Sequence, residues 1–182
     1  MKHTLCIILS LALALPAFLC ASAEGVTFTT PYYTLTLPEG WEIDMTDTGS
    51  EDGYEYLGCF FAPGDRGLAV YAFLEYYEEM KDFSLWNAGE DEIREYAEMT
   101  MEAFADENPV YLGTVTAGTI PFVLLRGKDG DGVEYLYADT ITNGYAIEFE
   151  VYVEDWDGNV YPLTDRHIEQ LRTILATLVP VS

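Results

Sequence analysis

The sequence predicts an α+β domain built on a single antiparallel sheet of about seven strands with two main helices, ordered βββ-α-ββββ-α. Three observations predict it. Runs of alternating or continuous apolar residues, cut by Pro, Gly, Asn and Asp clusters, fill most of the chain between residues 32 and 153. Two stretches, 90–106 and one opening at Thr164 or Asp165, switch to the three- and four-residue spacing of amphipathic helices. The breaks between most neighbouring strands are short, which suits hairpins and not parallel crossovers.

The chain opens outside this pattern. Lys2 and His3 precede an apolar run from Leu5 to Leu19, broken by Ser10 and Pro16, and Ala21-Ser22-Ala23 stands before Glu24. A basic start, an apolar middle and a small-x-small end form a secretory signal peptide, and the apolar run is short for a membrane span. Cleavage between Ala23 and Glu24 is expected, leaving residues 24–182 as one domain with no membrane insertion, secreted or held in the extracytoplasmic envelope. Lipid anchoring at Cys20 is disfavoured because Leu19 occupies the place where a lipoprotein site has a small residue. An uncleaved anchor is the lesser alternative.

The elements follow in order. Tyr33, Leu35 and Leu37 alternate with Thr34 and Thr36, and Pro38-Glu39-Gly40 then turns the chain so that Trp41 folds onto the core edge and Ile43 follows. Asp44 to Gly53 is an acidic loop. Tyr54 to Ala62 is a second strand. Leu68 to Tyr77, apolar on both faces, is a long third strand expected at the sheet centre. Ile93, Tyr96, Ala97, Met101 and Phe104 form one helical stripe, ended by Asn108-Pro109. Strands resume at 110–116, 119–126, 133–142 and 145–153, and Asn143-Gly144 is the strongest hairpin signal. Ile168, Leu171, Leu175 and Leu178 mark the last helix, which Pro180 ends.

Element order and the run Leu35-Thr36-Leu37-Pro38-Glu39-Gly40-Trp41 together resemble the PsbP/Mog-like α/β/α sandwich family, over about Val26 to Pro180. That family includes a photosystem-associated protein, a nuclear-import factor that binds Ran and small exported bacterial proteins of DcrB type. The resemblance implies the scaffold and no binding site, since members share a fold and bind different things.

Composition removes several function classes. With 32 Asp and Glu against 8 Lys and Arg, the chain carries a net charge of −24, which repels nucleic acid and anionic lipid and attracts cations and basic proteins. Acid also serves solubility alone. Beyond the leader, Cys59 is the sole cysteine, so no internal disulfide forms, and His167 is the sole histidine, so no multi-histidine or thiolate zinc site exists. No glycine-rich nucleotide loop occurs, and none of Ser50, Ser84 and Ser182 sits in a nucleophile-elbow context. A Cys59–His167 nucleophile and base pair is disfavoured, since Cys59 reads as a buried small hydrophobe. Calcium is the one cofactor that the acidic loops suggest, and their spacing does not match a calcium loop. Asp155-Trp156-Asp157-Gly158-Asn159 opens like an EF-hand loop but places Val160 and Arg166 where glycine and glutamate are needed, and Asp129-Gly130-Asp131 fails similarly.

One constellation remains. An Asn143-Gly144 loop sets Thr142 opposite Tyr145, Asp139 opposite Glu148 and Tyr137 opposite Glu150. Alternation then gives Leu136, Ala138, Ile147, Phe149 and Val151 to the core, and Tyr135, Tyr137, Asp139, Glu148, Glu150 and Tyr152 to the other face. Facing like charges destabilise a sheet unless a cation, a basic partner or a raised pKa relieves them. The leading expectation is therefore an exported non-enzymatic module of unknown ligand or partner, binding a cation or basic partner on this acidic, tyrosine-rich face. Its competitors are a carboxylate-based hydrolase, for instance on a glycan, with Glu148 and Glu150 or Asp139 as acid and base, and a structural subunit whose acid only keeps it soluble.

Overall fold

The computed structural model describes residues 25–51 and 53–181, so the expected cleavage between Ala23 and Glu24 and the disfavoured lipid anchor at Cys20 lie outside the described residues. The first half of the chain supplies β1 (Val26–Thr29), β2 (Tyr33–Leu37), β3 (Glu42–Asp44), β4 (Gly49–Glu51), β5 (Tyr54–Phe61) and β6 (Gly67–Tyr76). Helix α1 (Glu90–Ala103) follows, then β7 (Val110–Ala117), β8 (Ile120–Lys128), β9 (Glu134–Thr142), β10 (Tyr145–Glu154), β11 (Val160–Tyr161), α2 (Asp165–Leu175) and β12 (Val179–Pro180). Among the described residues no helix is long and apolar enough to cross a membrane.

Two helices and antiparallel pairing are as expected, but the single seven-stranded sheet is not. The main sheet has nine strands, in the order β3-β5-β6-β10-β9-β8-β7 with β4 on β5 and β11 on β10. The first expected strand, β2, lies instead in a three-stranded sheet ordered β1-β2-β12. Its partners come from opposite ends of the domain, a pairing that no local pattern announces. The segment 44–53, expected as loop, contains β4. Helix α2 stops at Leu175, short of the expected Pro180. Leu178 stays in the core, but Val179 and Pro180 pair with Thr34 and Tyr33. Pro180 is tolerated there because β12 is an edge strand, which need not donate outward.

Alternation gives the main sheet two apolar faces. Val70, Ala72, Phe122, Leu124, Leu136, Ala138, Phe149 and Val151 meet α2 and the small sheet in the larger core. Trp41 joins this core, its ring 5.9 Å from Phe60, so the turn at Pro38 and Gly40 serves the fold as expected. On the opposite face Val123, Leu125, Tyr135, Tyr137, Ile141 and Ala146 pack against Leu85, Tyr96 and Ala97. The molecule is thus α1 and the 83–88 segment, the main sheet, then α2 with the small sheet.

Candidate functional site

The site begins at the β9–β10 turn. Asn143 and Gly144 both have positive φ, 51° and 81°, the pairing that a two-residue hairpin turn of matching twist requires. A side chain at Gly144 would also strike the Tyr77 carbonyl at 2.8 Å. Register follows as expected, with Glu148 opposite Asp139 and Glu150 opposite Tyr137.

What the sequence does not convey is that α1 divides this face. Tyr135, Tyr137, Asp139 and Glu148 are buried, while Glu150 and Tyr152 are half-buried. The six residues therefore do not form one open surface. In the covered part, the Tyr96 hydroxyl from α1 donates to Asp139 Oδ2, whereas Asp139 Oδ1 is buried without a partner. The Tyr77 hydroxyl lies 2.7 Å from Glu75 and 3.0 Å from Glu148. It has one proton for two carboxyl groups, so the second contact needs a proton carried on a carboxyl. Burial supplies that proton. Desolvation pushes Asp139 up to about 8 against the Tyr96 hydrogen bond, with Glu148 adding to the rise. Desolvation likewise pushes Glu148 up to about 7, with Glu75 and Glu150 adding and Tyr77 opposing. The facing carboxyls do not splay into water; both are buried, and burial favours their neutral forms, which relieves the repulsion between them. A cavity of about 280 Å³ between α1, the 77–80 turn and the sheet reaches both.

In the uncovered part, β6 pairs with β10 on the side away from β9, setting Phe73 opposite Glu148, Tyr71 opposite Glu150 and Glu75 opposite Ala146. Strand β5 then sets Tyr54 opposite Glu75 and Tyr56 opposite Phe73. A bulge at Leu57 and Gly58 shifts the alternation, which brings Cys59 and Phe61 onto this same face. Gly58 has φ of 115°, and a Cβ there would lie 2.9 Å from the Asp44 carbonyl. Ring centroids run Tyr54 to Phe73 at 5.1 Å, Tyr56 to Phe73 at 5.4 Å, Tyr71 to Tyr152 at 6.2 Å and Tyr152 to Tyr135 at 6.2 Å. Glu75 and Glu150 stand among these rings, and β5, β6, β9 and β10 contribute no Lys or Arg to this face. Burial raises Glu150, and Glu107 adds to the rise.

The other sequence candidates do not converge. Cys59 lies on the α1 side of the main sheet and His167 on α2, so the sheet separates them. The His167 ring instead accepts from the Thr164 amide at 3.2 Å, as part of the helix cap. Asp155 accepts from the Asp157 and Asn159 amides and from Tyr161, and Asp129 accepts from the Asp131 and Val133 amides. These acids fasten their own turns, as Asp commonly does. No group of three or more His, Cys, Asp or Glu able to hold a metal ion occurs among the described residues.

Sequence reasoning missed Tyr77, Tyr96, Tyr54, Tyr56, Tyr71, Phe73 and Glu75. The period-two spacing of Tyr71, Phe73 and Glu75 was a usable signal. Joining it to Glu148 and Glu150 required the β6–β10 pairing across the intervening helix. Tyr96 sits in an otherwise apolar stripe, where a hydroxyl needing a buried acceptor is the only hint.

No protein-family model matches the chain, and no curated protein matches it. The chain is similar to the solution structure of cyanobacterial PsbP (CyanoP) from Synechocystis sp. PCC 6803, at 14% identity and a TM-score of 0.48, covering 89% of this chain and 96% of that one.

Proposed function

We propose that the chain is an exported, non-enzymatic binding module that docks a positively charged protein segment on the uncovered half of its tyrosine face. The observation that carries this reading is two aromatic clusters on one sheet face, Tyr54, Phe73 and Tyr56 in the first and Tyr71 with Tyr152 in the second, with Glu75 and Glu150 on the same face and no basic side chain from those strands. Tyrosine offers wide contact area with a polar tip, ring faces attract guanidinium and ammonium groups, and the acids supply complementary charge. Export rests on the leader from Lys2 to Ala23.

The hydrolase reading has less support. Acid–base pairs work when their surroundings push two pKa values apart, whereas burial drives Asp139 and Glu148 upward together. Titration with an oligo-arginine peptide, followed residue by residue by NMR, tests the proposal. Shifts concentrated at Tyr54, Tyr71, Phe73 and Tyr152, and removed by Tyr71→Ala with Glu150→Gln, are expected. Shifts spread over the acidic loops and the outer face of α1 would reduce the interaction to net charge and refute a docking face.

A further inference from the structure

We propose that the cavity beneath α1 is a second site, apart from the open half-face, and that it takes a small organic ammonium group, with Asp139 and Glu148 as its anionic partners. Four observations carry it. Asp139 is 2% exposed, lines the cavity and leaves Oδ1 without a hydrogen-bond partner. A buried orphan oxygen is costly, and native structures seldom keep one without a ligand, water or functional reason. Second, the walls are aromatic and apolar, with Tyr77, Tyr96, Tyr137 and Phe104 among them, the surroundings that favour an alkylammonium over a hydrated ion. Third, no Lys or Arg lines the cavity, so nothing in the protein neutralises the two carboxyls once ionised. Fourth, its volume of about 280 Å³ lies at the lower edge of ligand pockets, roughly 300–1,000 Å³, which suits a small guest. Hard metal cations fit poorly, since calcium seeks six to eight oxygen ligands, and the carboxyls lining the cavity, Glu79, Asp139 and Glu148, are not grouped closely enough to hold a metal ion.

The same geometry makes binding release protons. The groups facing the pair are Tyr96 on α1, Tyr137 on β9, Glu150 on β10, Glu75 on β6, and Tyr77 and Glu79 at the 77–80 turn. All are neutral or acidic, so without a cation the pair keeps at least one proton near neutral pH. An entering ammonium stabilises the carboxylates and displaces at least one proton. Apparent affinity then rises about tenfold per pH unit for each proton displaced, until the carboxyls ionise unaided. The amine keeps its own charge through that range, as a lysine side chain does below about pH 10.

A free amine and a lysine side chain carry the same group, and calorimetry tells them apart. The probes are 2-phenylethylamine, Nα-acetyl-lysine N-methylamide and the neutral isostere 2-phenylethanol, titrated into the protein at about pH 6 and about pH 8. At least one amine is expected to bind about tenfold or more tightly at the higher pH, with proton release seen across buffers of different ionisation enthalpy. Asp139→Asn and Glu148→Gln, both near-isosteric, are expected to abolish that pH dependence. The wild-type pH dependence and proton release need no variant, so a misfolded mutant leaves the test intact. Met99→Trp, placed at the exposed rim, is expected to block entry without touching either carboxyl. Absence of binding by both amines at millimolar concentration, equal binding of 2-phenylethanol, or binding without proton release would overturn the proposal. Failure of the oligo-arginine titration would leave this result untouched, since the open half-face and the cavity are probed by different ligands.

Discussion

The Tyr96 hydroxyl of α1 donates to Asp139 of β9, fastening the helix to the sheet at the middle of the tyrosine face. Tyr96→Phe removes the donor while keeping the ring. A buried carboxyl that loses its partner costs about 1–3 kcal/mol. Urea unfolding near neutral pH should show a loss of that size, and Asp139 should titrate higher still, because the lost bond had lowered it.

Burial of two acids makes stability fall as pH rises. Unfolded, Asp139 and Glu148 release protons near their ordinary values, 3.8 and 4.5, whereas folded they hold them to about 8 and about 7. Between those values the native state binds more protons than the unfolded one, so the slope of stability against pH is negative. The contribution is full below about pH 4 and gone above about pH 8. Other acids overlay the lower end: Asp44 and Glu78 are lowered by hydrogen bonds and act in the opposite sense. The clean reading is thus between about pH 6 and pH 8, where Asp139→Asn should flatten the decline and raise stability at the alkaline end.

Gly58 carries the bulge that keeps both ends of β5 on the tyrosine face. Gly58→Ala would hold a side chain at φ of 115°, 2.6 Å from Met45 Sδ and 2.9 Å from the Asp44 carbonyl. A loss of about 1–3 kcal/mol is expected from the backbone conformation alone, measured by denaturant unfolding.

Two tryptophans should behave oppositely. Trp41 is 5% exposed against Phe60, and Trp156 is 64% exposed beside β10. Trp41→Ala should cost about 3–5 kcal/mol, and Trp156→Ala within about 0.5 kcal/mol of nothing. Thermal unfolding of the two variants checks the contrast.

Local chemistry made the β9–β10 hairpin legible: Asn143-Gly144 fixes the turn, the turn fixes the register, and the register places Asp139 opposite Glu148. The Pro38–Gly40 turn and the core stripe of α2 were legible for the same reason. Three things were not. Strand β2 pairs with the two ends of the domain, a contact set by chain closure. The β5 bulge turns on a single glycine whose spacing looks like ordinary alternation. The covering of Asp139 and Glu148 depends on which half of the sheet α1 crosses, and an amphipathic stripe says only that a helix packs on something. The sequence therefore led to the right residues on the sheet and to the wrong surroundings for four of them, Tyr135, Tyr137, Asp139 and Glu148.

One face of the sheet is split between a buried acid pair, whose neutral forms burial favours, and an open aromatic half. Site-resolved carbon NMR of the side-chain carboxyls, followed against pH, tests it most directly. Asp139 should titrate at about 8 and Glu148 at about 7. Titration of both near the ordinary 3.8 and 4.5 would show the pair open to water and contradict it.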